Sequence, residues 1–471
     1  MPELRKLCEG AAIVSLPSRS ALGLAAALAD DPPEGLLDAV PGACTLLLLY
    51  DEALLDIDRL DLSRSAAAPP ARVVRIEACY DGPDLAEVAR ELGLAPADLV
   101  RRHVEAEHVV SFLGFAPGFA YMTGGFAVPR LHTPRVRVPA GSLAIADGFT
   151  GIYPAATPGG WRLIGRVAAR MFDPATDPPA LLRPGDRVVF EPVARLREPP
   201  AATPSPPPAG DPLFRVIGPG AFTSVQGSPR YGLASSGVPA GGAMDLALLA
   251  AANRAVGNAP SAAALEITLA GPDLAALRDV RVAVGTDVRL LHRGDELRTG
   301  PVRRGARAYL AVEGGFVEPL PGEPSRTIAI GEVLHRSTAA PRRSPRPPRL
   351  PLRWGEPLLD VRARRGPQWE FFASPEDFFD SYYRVSPSSD RRGLRLQGPA
   401  LALARRSDIP PEGTAPGAVQ VPGDGMPIVL GPDRPVTGGY AKIATVLPAD
   451  FPLLAQARPG TAVRFLEERW T

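Results

Sequence analysis

Between Ser111 and Arg166 the chain reads SFLGFAPGFAYMTGGFAVPRLHTPRVRVPAGSLAIADGFTGIYPAATPGGWRLIGR, with little helical period. Glycine, proline and an aromatic or arginine recur every few positions, as short strands and tight turns require. That pattern predicts a β-barrel. Upstream, AAIVSL and CTLLLLY are buried-strand runs, SALGLAAALAD between them has helical spacing, and ARVVRIEACY alternates with period two. YDGPDLAEVARELGL turns at Gly82-Pro83 and opens a helix at Asp84, with Glu87 at capping-box spacing. ADLVRRHVEAEH is a second short helix. Residues 1–88 are expected to form a small α+β unit and 89–195 the barrel.

The Pro-rich stretch 196–212 can form neither helix nor sheet and marks the strongest boundary, a semi-extended spacer. Beyond it, 213–335 opens with strand text in FRVIGPGAFTSVQ. A helix follows in GGAMDLALLAAANRAVGN, stopped by Gly257, and strand returns in SAAALEITLAGPDL. Residues 336–353 form a Pro/Arg-rich loop, read as a solvated linker ahead of an acidic-partner patch, and 354–471 complete the second half. The fold class is β-rich α+β.

At 471 residues there is room for two to four cores. Charge adds little: 52 basic against 51 acidic residues, net +1, gives no reason to expect nucleic acid or a membrane surface. Lysine is another matter. Only Lys6 and Lys442 occur, so Lys442, beside two glycines in TGGYAKIAT, draws notice as a point charge for phosphate or carboxylate, or as a strand-edge lysine in water. Cys8, Cys44 and Cys79 are too scattered for zinc or a disulfide framework. No signal pattern opens the chain and no run reaches the ~20 apolar residues of a membrane helix, so a cytoplasmic location is expected.

Chemistry-bearing candidates sit beside glycines, where bare backbone lets ligands approach. In the first half these are Phe115, Pro117, Arg137 and Tyr153. His103 is either a general base or a helix-end cap. Asp245 caps a helix or, with Gly241 and Gly242, helps hold an anion. Glu266, in apolar strand text, needs a partner such as an arginine. Gln420 and Asp424 lie between turn glycines, as ligand contacts or turn-stabilising groups. No GxxxxGK[ST], GxGxxG, GxSxG or HExxH is present, and the five histidines have no metal-ligand spacing.

The run Gly114, Phe115, Pro117, Gly118, Tyr121, then Arg137, Pro139 to Ser142, Thr150 to Pro154 and Pro158 to Trp161 closely resembles the allophanate-hydrolase-subunit-1 domain, also called KipI or the B subunit of 5-oxoprolinase. Asp147 and Phe149 stand where that family has Gly and Gln. The second half, through Thr223, Gln226, Arg230, Gly237 to Asp245, Asn253, Gly257, Glu266 and the segment PEGTAPGAVQVPGDGMPIVLGPDRPVTGGYAKIATV, resembles the subunit-2 domain, also called KipA or the C subunit of 5-oxoprolinase. Here Gly227 replaces an Asp, the Ser325-Arg326-Thr327 segment is shortened, and Pro435-Val436 replace Gln-Thr. The order subunit 1 then subunit 2 is that of the urea carboxylase C-terminal region.

The resemblance implies cyclophilin-like barrels in both halves. It also implies a fused B–C component of an ATP-dependent 5-oxoprolinase, using ATP with Mg and a separate LamB/YcsF-type A subunit, and a possible homo-oligomer. Arg137, Lys442 and His103 would be catalytic; Phe115, Pro117, Tyr153, Gln226, Asp245, Glu266, Gln420, Asp424 and Tyr440 would bind the small amide substrate. Two alternatives stand: a KipI/KipA-like regulator of a histidine kinase, and a urea-carboxylase-like amide-handling module.

Overall fold

Alternating apolar positions in Val73–Cys79 and a parallel partner in Arg187–Pro192 start a closed barrel; Val73 pairs with Arg187 and Ala78 with Pro192. The computed structural model describes residues 2–16, 18–66, 72–197, 210–323, 325–338, 358–405 and 408–470. Residues 198–209 of the Pro-rich linker and 339–353 of the Pro/Arg-rich loop lie outside the described residues. Seven strands close the first barrel: Val73–Cys79, His108–Leu113, Ala120–Met122, Ser142–Ala146, Phe149–Ile152, Arg162–Val167 and Arg187–Pro192. A second barrel is closed by Leu358–Arg365, Tyr382–Val385, Gly393–Gln397, Ala418–Gln420, Ile428–Leu430, Lys442–Val446 and Ala462–Glu467. The expectation of a barrel in each half is met.

The two barrels are topological copies. Counted along the chain within each, both close in the cyclic order 1-6-4-5-3-2-7, with strands 1 and 7 parallel. Each also carries a two-stranded arm outside the barrel: Arg135–Val138 with Thr157–Gly159 in the first, Asp408–Gly413 with Thr437–Tyr440 in the second.

The N-terminal sheet runs Glu3–Cys8, Ala11–Ser15, Thr45–Tyr50, Leu36–Pro41 in spatial order, with the helix Ser18–Asp30 between its second and third strands in the chain. Val73–Cys79, grouped by the sequence with this unit, pairs into the barrel instead. Asp84 stands at the N-cap of the helix Leu85–Glu91, but its side chain makes no capping bond. Its carboxylate accepts Leu163 N at 2.6 Å and Arg135 Nη2 at 2.6 Å, while Glu87 pairs with Arg162. The expected capping box is thus replaced by a tie between helix, barrel and arm.

One core crosses the boundary between halves. Leu7, Cys8, Ile13, Leu47 and Leu49 of the N-terminal sheet pack with Ala234, Ala415, Val436 and Leu447 of the second half. Each fully buried aliphatic side chain contributes roughly 2 kcal/mol. Val436, a departure from the family wording, is therefore part of the joint between halves.

Candidate functional site

Strand pairing sets the polar cluster of the second barrel. Gln420 lies opposite Lys442, and residues opposed in an antiparallel pair project on the same face. Lys442 is 1 % exposed and its ammonium lies 2.7 Å from Glu412 Oε1 on the arm. That contact pairs the charges without hydrogen-bond geometry, and no other acceptor among the described residues faces the ammonium. Gln368 fixes the arrangement: its Nε2 donates to Glu412 Oε1 at 2.9 Å, and its Oε1 accepts Lys442 N at 3.0 Å. Gln420 is 8 % exposed and its Nε2 finds no acceptor. A Cβ at Gly438 would stand 2.5 Å from that nitrogen, so the glycine makes room for the buried amide.

The arm that carries Glu412 is wedged between the barrels. Gly114 O accepts Val436 N at 2.9 Å and Thr437 N at 3.2 Å, and Ala43 N donates to Pro411 O at 2.7 Å. On this side Gly439 lies against Arg130, where a Cβ would stand 3.1 Å from both Nη atoms. Tyr440 is half-buried near Asp408 and Arg130, and burial raises its phenol pKa. Asp424 is exposed; its Oδ1 accepts Met426 N at 3.0 Å, the turn-stabilising bond of the sequence reading.

A second cluster gathers Gln226, Asp245 and Glu266 in full burial around Arg391. Arg391 Nη1 donates to Glu266 Oε1 at 2.6 Å, and Nη2 to Gly242 O at 2.6 Å and Gln226 Oε1 at 3.2 Å. Nε and Nη2 reach Asp433 at 2.8 and 3.0 Å. Burial works against the Arg391 charge, but Glu266 and Asp433 outweigh it and raise the pKa. Glu266 Oε2 also accepts Met244 N and the Tyr309 hydroxyl, each at 2.7 Å. Asp245 caps its helix through Leu248 N at 3.0 Å and accepts Gln456 Nε2 at 3.0 Å; burial raises its pKa. Every one of these groups is occupied, so the network ties the second half together.

At Gly227, where the family has Asp, a Cβ would collide with Glu318 Oε1. The Glu318 carboxylate takes the room of the missing side chain.

The first barrel places its candidates differently. Phe115 and Tyr153 belong to an aromatic cluster with Phe112, Phe119, Tyr121 and Trp161, and Phe149 joins it 5.7 Å from the Tyr121 ring. Pro117 is half-buried in the neighbouring turn. Arg137 lies exposed on the arm of the first barrel. His103 is wholly buried: Nδ1 meets the Tyr80 hydroxyl at 2.9 Å and Nε2 the Thr150 hydroxyl at 3.1 Å. Burial, with His108 beside it, lowers its pKa to about 3. A ring so enclosed neither reaches a substrate nor caps its helix; His108 Nε2 meets the terminal carbonyl of His103 instead, at 2.7 Å. Sequence reasoning missed Arg391, Gln368 and Glu412. The repeat of Gly-Pro-Asp at 82–84 by Gly-Pro-Gln at 366–368 was the available signal for Gln368.

Two barrels, each with an arm, and an N-terminal sheet that shares a core with the second half define a duplicated carboxyltransferase-type fold. Residues 5–182 match the family described as carboxyltransferase domain, subdomain C and D, and residues 236–467 match subdomain A and B. The chain belongs to this family, with both pairs of subdomains in one polypeptide. It is 46 % identical over 184 residues to the B subunit of 5-oxoprolinase from Escherichia coli O157:H7, covering 36 % of this chain and 83 % of that protein. It is 34 % identical over 283 residues to the C subunit of 5-oxoprolinase from Escherichia coli K12, covering 54 % of this chain and 91 % of that one. The crystal structure of TTHA0988 superposes with a TM-score of 0.85 at 36 % identity, covering 97 % of this chain and 99 % of that chain.

Proposed function

We propose that the chain is the fused B–C component of an ATP-dependent 5-oxoprolinase, opening the lactam of 5-oxoproline with water to L-glutamate together with a separate LamB/YcsF-type A subunit. The observation that carries this is the succession in one chain of a relative of the B subunit and a relative of the C subunit, each matched over most of its length. Amide resonance stabilises the lactam, and ATP supplies the driving force for opening it. No GxxxxGK[ST] loop occurs in the sequence, and no group of three or more His, Cys, Asp or Glu suited to a metal ion is found among the described residues. ATP, implied by the relation to the 5-oxoprolinase subunits, is then used by the assembled chain and A subunit without a P-loop in this chain.

The chain's own contribution is charge placement. Lys442 and the Gln420 amide are preorganised donors for a carboxylate or a developing oxyanion, held with little freedom to reorganise. No helix among the described residues is long and apolar enough to cross a membrane; the reading takes the assembly as cytoplasmic. Glutamate and ADP release from 5-oxoproline and ATP, by the chain mixed with its A subunit, is the test. No release from a folded, assembled mixture overturns the proposal.

A further inference from the structure

Because the barrels are copies, each position in one has a counterpart in the other. Val167 pairs with Ala78 as Val446 pairs with Ala363. Leu163 lies opposite Ala144 as Lys442 lies opposite Gln420. Gly82 N donates to Ile164 O, and Gly366 N to Ile443 O. The loop residues Asp84 and Gln368 then correspond, each accepting the backbone N–H of its counterpart strand, Leu163 or Lys442. On the arms, Arg135 opposite Gly159 corresponds to Glu412 opposite Gly438.

The glycine, valine and alanine positions match, but the copies differ in chemistry at the four places that face the arm: Asp84 and Gln368, Leu163 and Lys442, Ala144 and Gln420, Arg135 and Glu412. In the first barrel Asp84 and Arg135 satisfy each other at 2.6 Å, and Leu163 and Ala144 are apolar. Tyr153 plugs the space under the arm: a Cβ at Gly159 would collide with its hydroxyl. In the second barrel the loop residue is the neutral Gln368, the arm supplies Glu412, and the strands supply Lys442 and Gln420. Under Gly438 lies the Gln420 amide, nine-tenths buried and without an acceptor, where the first barrel has a phenol. Gly438 itself is partly exposed and gives an approach over bare backbone.

We propose that the chain holds its small-acid ligand in the second barrel alone, at Lys442, Gln420 and Glu412, and that the first barrel is a closed copy of that site. This rests on the oxoprolinase reading for the identity of the ligand. A buried ammonium and a buried amide donor, both short of acceptors, call for a carboxylate that bridges them. Glu412, beside Lys442, supplies a carboxylate that accepts an N–H, which a lactam has. The ligand class is therefore a small carboxylic acid bearing a cyclic amide.

The test is calorimetric binding of 5-oxoproline, L-glutamate and pyrrolidin-2-one to the purified full chain. Wild type is expected to bind 5-oxoproline and to bind pyrrolidin-2-one at least tenfold more weakly. Gln420→Leu, close in volume and uncharged, is expected to weaken 5-oxoproline at least tenfold, and Leu163→Met in the first barrel to leave it within twofold. Lys442→Met combined with Glu412→Gln avoids a stranded buried carboxylate and gives a second reading of the same loss. Wild-type affinity in folded Gln420→Leu, or no binding of any probe by wild type, overturns the site. Glutamate release from the mixture with the A subunit that persists in Gln420→Leu overturns the site and keeps the oxoprolinase reading. L-Glutamate binding lost in Gln420→Leu, with no turnover by wild type, keeps the site and overturns that reading.

Discussion

Asp147 accepts a hydrogen bond from Arg130 Nε at 2.8 Å while its own backbone sits at φ +51°. The family has glycine here, the residue that adopts this conformation without strain. A non-glycine residue at positive φ costs about 1 kcal/mol, and a partly exposed ion pair returns at most about that much. The balance is near zero, so Asp147→Gly is expected to leave stability within about 0.5 kcal/mol of wild type. Asp147→Ala, which keeps the strain and loses the pair, is expected to fall by about 1 kcal/mol. Guanidinium denaturation at pH 7 checks both. A large loss in Asp147→Gly would mean that the Arg130 contact, placed against Gly439, matters more than surface pairs do.

Arg391 and Glu266 offer a contrasting case, because no solvent screens them. Removing one partner of a buried pair leaves the other charge stranded, at about 3–5 kcal/mol. Arg391→Met strands both Glu266 and Asp433 and is expected to reach the upper end. Glu266→Gln leaves Arg391 with Asp433 and is expected to lose less. Urea unfolding followed by fluorescence separates the two; equal, small losses would show that the network adds little to the second half.

Much of the fold was legible because local rules carried it. The short strands of the first barrel announced themselves through Gly, Pro and aromatic spacing, and the helix Leu246–Ala255 through its Asp245 cap and Gly257 stop. Lys442 stood out because lysine is otherwise almost absent. Long-range partners were not legible: Arg391 meets Glu266 across 125 positions, and Gln368 meets Lys442 across 74. A polar side chain in a loop or strand carries no local mark of whether it will end buried beside a charge. Arg137 shows the converse, since its family wording was clear and its strand is nonetheless exposed. What would have helped is comparison of the chain with itself, GGWRLIGRV against GGYAKIATV, which aligns Leu163 with Lys442 from the residues alone.

Asp38 links the halves by accepting Gly232 N at 3.1 Å, and burial raises its pKa to about 6. Its folded value lies above the unfolded one of about 4, so its contribution to stability is fully present below pH 4 and is lost as pH rises through 6. The carboxyl is half-buried, and screening reduces the cost of its charge at pH 7 to about 1 kcal/mol. Asp38→Asn is therefore expected to match wild type at pH 4 and exceed it by about that amount at pH 7.5. Thermal melts at the two pH values check the sign; a variant less stable at pH 7.5 would show the charged form to be the one that joins the halves.

His103 runs the opposite way. Its folded pKa of about 3 lies below the unfolded value near 6.5, so the stability it contributes is present above pH 6.5 and is lost as pH falls towards 3. The difference between folded and unfolded values corresponds to as much as about 5 kcal/mol, a large share of a domain's net stability. His103→Gln, which keeps a hydrogen-bonding group between Tyr80 and Thr150, is expected to lose stability at pH 7.5 and to flatten the decline between pH 6.5 and 4. Nitrogen-15 chemical shifts of the His103 ring decide the underlying point directly: they should stay those of neutral imidazole down to pH 4. A ring that titrates near 6.5 with turnover following it would return His103 to the role of general base and require an opening of the first barrel at Thr150.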